Sequence, residues 1–85
     1  MMLKVEKRGV IRLGDKTTHG GVVIKVASET EVDGRRIARI GDLTTCPLCK
    51  GVFPIVEGEP SWTEDGVPVA LHGHKTACGA ELISS

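Results

Sequence analysis

Aromatic side chains are almost missing from this chain, which has one Phe, one Trp and no Tyr in 85 residues. Its core must come from Val, Ile, Leu and Ala, which bury less area per residue than aromatics do. Long apolar runs are missing too, and no window approaches the roughly 20 residues of a membrane-spanning helix. The first residues, Met-Met-Leu-Lys-Val-Glu-Lys-Arg, return to charge at once, so no cleaved secretory leader is expected. No segment holds a 3.6-residue apolar period over ten or more positions, which argues against helices. A positive surplus is also lacking: 11 basic and 11 acidic side chains give a formal net charge of zero. That weighs against general nucleic-acid binding. Cysteines are few and odd in number, three in all, so they cannot all pair with one another. Thiols serving a metal in a reducing compartment fit better than a disulfide scaffold.

What the chain does contain is a repeated loop. Gly-Asp-Lys-Thr-Thr-His at 14–19 returns as Gly-Asp-Leu-Thr-Thr-Cys at 41–46 and as Gly-His-Lys-Thr-Ala-Cys at 73–78. Each copy ends in a residue able to bind a soft metal: His19, Cys46 and Cys78, spaced by 27 and 32 residues. Glycine opens every copy, which suggests a turn that a side chain would obstruct. The threonines beside it can donate hydroxyls to loop carbonyls. Three similar corners brought to one point, pinned by an ion, is the arrangement this pattern predicts.

Between the loops lie short β-branched runs. Val22–Val26 reads as a strand, followed by a turn at Asp33-Gly34 and a returning strand at Arg36–Ile40. The second half repeats this with Val52–Val56, Asp65-Gly66 and Val67–Leu71. Asp-Gly between such runs is a strong hairpin signal. Partial units lead in from Val5 to Leu13 and trail out from Ala80 to Ile83, while Pro54 and Pro68 are expected at edge or irregular strand positions. A lone hairpin of this size buries no face of its own, so the units must lean on one another. The expected fold is mainly β: a single small domain over residues 1–85, of short hairpins in a pseudo-threefold, metal-stabilised arrangement. A metal, oligomerisation or docking on a partner would supplement a core this small.

Tetrahedral zinc wants four ligands. Cys49 is the best fourth, because Cys46-Pro47-Leu48-Cys49 is a C-x-x-C pair whose sulfurs can chelate one ion; His72 and His74 are the reserves. Two other readings of the cysteines stay open: a redox dithiol, which would need a helix N-terminus to lower one thiol's pKa, and inert thiols buried in the core. His72 replaces an isoleucine of the sister unit and reads as a packed or surface residue. His74 stands where Asp15 and Asp42 stand, and a loop-bracing hydrogen bond suits all three. A hydrolytic site would need an open metal position and a general base; Asp15, Asp42 and Glu81 are near, but their pattern fits bracing, so no enzymatic activity is expected. Residues 1–40 carry a charge balance of +4 and residues 41–85 one of −4, a pattern that neighbouring strands of opposite sign would explain more readily than an electrostatic footprint for a partner.

The three loops together resemble the PAAR family, small proteins named for a Pro-Ala-Ala-Arg signature that sharpen the tip of the contractile type VI secretion spike. The likeness lies in Gly14-Asp15 with His19-Gly20-Gly21, in Arg36-Ile37-Ala38-Arg39-Ile40-Gly41-Asp42 with Cys46-Pro47, and in Val69-Ala70-Leu71-His72-Gly73-His74-Lys75-Thr76 with Cys78-Gly79-Ala80. The signature stands here as Arg36-Ile37-Ala38-Arg39, with two of four positions changed, and the likeness runs from Leu13 to Ile83. It implies a cone or pyramid of short β-hairpins with one structural zinc ion near the vertex, held by His19, Cys46, Cys78 and Cys49, where many members have His at the Cys49 position. It implies a base that docks on a trimeric VgrG-like β-helical spike protein, one copy per spike, with effectors as further partners and only transient contact with a target membrane. Such a protein would be monomeric alone, would bind no nucleic acid, would carry no toxin extension of its own, and would leave the bacterial cytoplasm on the spike without a signal peptide. A small zinc-dependent adaptor or nucleic-acid-binding module is the alternative. It would be expected to show two paired knuckles and a basic or aromatic face, whereas this chain has one C-x-x-C and two aromatics.

Overall fold

A computed structural model describes residues 9–85 and shows strands, turns and bends with no helix among them. The strands in chain order are β1 (Lys16–Thr17), β2 (Val23–Lys25), β3 (Glu31–Val32), β4 (Arg35–Arg36), β5 (Leu43–Cys46), β6 (Gly51–Pro54), β7 (Glu59–Glu64), β8 (Val67–Val69) and β9 (Leu82–Ile83). They form one three-stranded sheet, β2-β5-β6, and three two-stranded ones: β1-β9, β3-β4 and β7-β8. All of these pairings are antiparallel.

Short strands are held together here by a threefold pattern of main-chain hydrogen bonds. At the centre, Ile11 N–H donates to Ala70 C=O, Ala70 to Ala38, and Ala38 back to Ile11, at 2.8–2.9 Å, closing a ring. Nearer the repeated loops, Thr18, Thr45 and Ala77 donate to the carbonyls of Glu81, Val22 and Pro54, so that each corner bonds to the next in the same sense. Within each corner, Gly14, Gly41 and Gly73 donate to Val23, Ile55 and Leu82, which donate back to the carbonyls of Asp15, Asp42 and His74. The three opening glycines have φ of 92°, 95° and 91°, a left-handed conformation that costs any side chain and explains why glycine recurs there.

The core repeats in the same threes. Ile11, Ala38 and Ala70 surround the ring, and Val23, Ile55 and Leu82 stand behind the corners; all six belong to one buried cluster with Val26. A second cluster joins Ile37, Val69 and Leu71. Alanine at two of the three ring positions lets the backbones approach closely enough to bond, while Ile11 fills the remaining space. The aliphatic core expected from the composition is the one observed.

Both Asp-Gly turns close hairpins as the sequence suggested. Asp33 and Gly34 have φ of 53° and 85°, Asp65 and Gly66 of 54° and 80°, the positive pair of a type I′ turn. The strands they join differ from expectation. Val22–Val26 does not return against Arg36–Ile40: β2 pairs with β5, and the first Asp-Gly turn closes only the two-residue strands β3 and β4. Likewise β6, which overlaps the expected Val52–Val56 run, pairs with β5, and the strand opposite β8 is β7. The cause is that the second ligand loop is itself a hairpin, with Leu43–Cys46 a strand, so its flanking runs meet across it. Pro54 lies on β6, an edge strand, and Pro68 lies at the register shift between β7 and β8, where a missing N–H is tolerated. Of the lead-in from Val5 to Leu13, the part up to Arg8 lies outside the described residues.

Crowding between corners is testable at glycines. A Cβ on Gly21 would sit 1.8 Å from the carbonyl oxygen of Thr45, whereas one on Gly34 would meet nothing within 4 Å. Gly34→Ala should cost about 1–2 kcal/mol, the left-handed penalty alone, and Gly21→Ala should cost more than about 3 kcal/mol by forcing two corners apart. Denaturant melts of the two variants check the ranking; equal costs would contradict a tightly closed vertex.

Candidate metal centre

The repeated loops bring their last residues together. His19, Cys46, Cys49 and Cys78 each offer one ligand atom, and these atoms all lie within 4.8 Å of one another. His19 Nδ1 is 3.5 Å from Cys46 Sγ and 3.7 Å from Cys78 Sγ. An ion bonded to sulfur at about 2.3 Å and to nitrogen at about 2.0 Å would set a tetrahedral S···N edge of roughly 3.5 Å. The two edges at His19 already have the spacing of a four-coordinate site, and the remaining ligand atoms lie within 4.8 Å of one another.

Each ligand is placed by its own corner. Thr17, Thr44 and Thr76 are equivalent and all buried. Thr17 Oγ1 accepts from the N–H groups of His19 and Gly21, Thr44 Oγ1 donates to Phe53 C=O at 2.9 Å, and Thr76 Oγ1 lies 3.3 Å from Cys78 Sγ. Cys46 ends β5 and is buried, while Cys49 sits in the following turn, exposed, with its N–H donating to Cys46 Sγ at 3.3 Å.

The second corner is longer than its sisters. Eight residues separate Asp15 from Val23 and His74 from Leu82, but 13 separate Asp42 from Ile55, although the three pairs make the same hydrogen bond. The five additional residues include the turn that carries Cys49. The signal was present in the unequal spacings of 27 and 32 between ligand residues, because the excess had to fall in the loop after Cys46 or in the hairpin beyond it.

Of the reserve ligands, neither belongs to the cluster. His72 is exposed, and its Nδ1 accepts from Ser84 N–H at 3.1 Å. His74 Nδ1 accepts from Leu71 N–H at 2.9 Å. This is the bond that Asp15 Oδ2 makes to Arg12 N–H and Asp42 Oδ2 to Arg39 N–H, both at 2.8 Å. One neutral imidazole nitrogen thus does the work of a carboxylate oxygen three residues after its donor. Asp15 also meets Arg35 at 3.2 Å. At Asp42 burial pushes the pKa up, against the N–H bonds from Arg39 and Ala27 and the charge of Arg39.

The thiols are unequal. The Thr76 hydroxyl, helped by Cys46, the Ala80 N–H and His19, lowers the Cys78 thiol to about 6. Hydrogen bonding to Cys46, with burial and Cys78 adding to it, raises Cys49 to about 11.

Compared with known proteins, the chain matches the family model of the PAAR motif over residues 13–84. No curated protein matches it.

Two outcomes follow from this geometry. At pH 7, uptake of Zn(II) by metal-free protein should release protons, Cys49's among them, since thiols must ionise to bind. Affinity should then fall about tenfold per pH unit for each proton displaced, and more steeply below about pH 6, where Cys78 is protonated too. Calorimetric titrations in buffers of different ionisation enthalpy count these protons. Separately, His74→Asp should preserve stability to within about 1 kcal/mol, whereas His74→Ala, which strands the Leu71 N–H, should cost about 1–3 kcal/mol. Thermal melts compare them.

Proposed function

Because the chain belongs to the PAAR-motif family, we propose that it is the structural tip of a type VI secretion spike, with no reaction of its own. One zinc ion joins the three corners at the vertex through His19, Cys46, Cys49 and Cys78. Three thiolates and one imidazole make a closed structural set for zinc, with no position left for water or substrate. The ion stiffens the end of the molecule where the aliphatic core is thinnest, because its binding free energy is folding free energy.

The opposite, broader end docks on the blunt end of a trimeric VgrG-like β-helical protein. The observation that carries this reading is the ring Ile11–Ala70–Ala38, with its repeats above it: one asymmetric chain presents the same backbone arrangement three times about an axis. Such a chain can offer like contacts to each subunit of a trimer. Ile24, Val56 and Ile83 each follow a member of the core triplet Val23, Ile55 and Leu82, and each is exposed. Three repeated apolar side chains on the surface suit burial against a threefold partner. In this role the protein is made in the bacterial cytoplasm, is exported on the spike, sharpens it for membrane puncture, and recruits effectors.

Mixed with a trimeric VgrG-like spike protein, the zinc-loaded chain should co-elute at one copy per trimer, and chelation of the ion should lower its melting temperature by an amount worth several kcal/mol. Size-exclusion chromatography with light scattering reads the ratio. Three copies per trimer, or tight binding to nucleic acid at physiological salt instead, would contradict a tip.

A further inference from the structure

We infer that Cys49 is an oxidation site, at which a hydroperoxide converts the Cys46–Cys49 pair to a disulfide and so releases the ion. The inference rests on the metal reading above. It comes from the way the four ligands differ in access. Cys49 is exposed and Cys78 half-buried, while Cys46 is 1% exposed, so a small oxidant in solution meets Cys49 first. A second sulfur is already in reach: the ligand atoms lie within 4.8 Å of each other, and the Cys49 N–H points at Cys46 Sγ from 3.3 Å. Only Pro47 and Leu48 separate the pair. The new bond therefore closes inside one turn, and no corner has to move towards another.

The chemistry balances with peroxide as the oxidant. The Cys49 thiolate attacks one peroxide oxygen, the O–O bond breaks, and a sulfenic acid forms while the leaving hydroxide takes a proton to become water. The Cys46 thiolate then attacks the sulfenic sulfur, forms the S–S bond, and expels a second hydroxide, which is also protonated. Two thiolates lose two electrons in total, and one hydrogen peroxide and two protons become two waters. His19 and Cys78 remain as the only ligands, half of a tetrahedral set. The ion leaves, and the vertex loses its link between corners. A dithiol reductant reverses the step by exchange. An imidazole in place of Cys49 would bind the ion without opening this route, so the sensitivity belongs to this chain's choice of sulfur.

The test treats zinc-loaded, full-length protein with hydrogen peroxide, follows released zinc with a chromogenic chelator, and maps the tryptic peptides. Cys46 and Cys49 fall in one peptide, 40–50, and Cys78 in another, 76–85. The expected result is one zinc released per disulfide, with peptide 40–50 lighter by two hydrogens, reversed by dithiothreitol and added zinc. Cys49→His should retain zinc and slow peroxide-driven release at least about tenfold. Should that variant misfold, the wild-type map decides alone. A cross-link between the two peptides, sulfinic acid at Cys49 without a disulfide, or zinc release with peptide 40–50 unoxidised would overturn the inference. Protein that holds no zinc when purified in reductant would overturn the metal reading instead, and the disulfide map would still decide the oxidation site.

Discussion

Everything in this molecule depends on three backbone segments meeting at one axis. The ring of hydrogen bonds through Ile11, Ala38 and Ala70 is closed only if each segment comes within bonding distance of two others. Such proximity leaves no space for three large side chains, which is why alanine holds two of the three places. It also leaves the strands short, because each must turn away from the axis soon after reaching it. Isolated two-stranded sheets are marginal by themselves. Here they persist because every corner is bonded to both neighbours, so no pair of strands has to be stable alone.

The same constraint determines where the protein is weak. Along the axis from the ring to the ligand residues, the buried apolar side chains give way to Thr17, Thr44 and Thr76, and then to His19 and three cysteines. Polar groups take the place of core because glycine-flanked turns carry little apolar surface. Threonine hydroxyls and main-chain N–H groups satisfy one another there, but they contribute little net stability each. An ion held by all three corners would supply at that end what the two aliphatic clusters supply elsewhere. Without it the turns would be joined by hydrogen bonds alone, among them those of Thr18, Thr45 and Ala77.

Much of this was legible in the sequence, because local chemistry controls it. The opening glycines signalled a backbone that no side chain tolerates, and their φ values near 90° bear this out. The placement of His74 with Asp15 and Asp42 announced a shared brace, and all three accept from the N–H three residues before them. Both Asp-Gly turns were visible as well. Strand pairing was not. Which run lies against Val23–Lys25 depends on where the corners converge, and that information is spread over the whole chain. The strand Glu59–Glu64 escaped notice because Pro60, Ser61 and its three-residue reach to Trp62 show no alternation of apolar and polar positions. It is a strand because Val67–Val69 needs a partner, and most of it is exposed.

The departure from symmetry has a reason of its own. Three equivalent corners deliver three equivalent ligands, and a tetrahedral site needs four. A strict threefold assembly could complete it only on the axis, with a ligand belonging to no corner. A single chain escapes this limit, since one of its repeats can lengthen while the others stay the same. The five additional residues between Asp42 and Ile55 do this, and they fall beyond Cys46, where the turn extends away from the closed ring. The inner bonds of the second corner are unchanged by the insertion: Gly41 still donates to Ile55, and Ile55 to Asp42. Symmetry is kept where backbones must bond in a ring and broken where a fourth candidate ligand joins the cluster. That division requires the repeats to be fused in one chain, and the exposed Cys49 belongs to the corner that carries the additional residues.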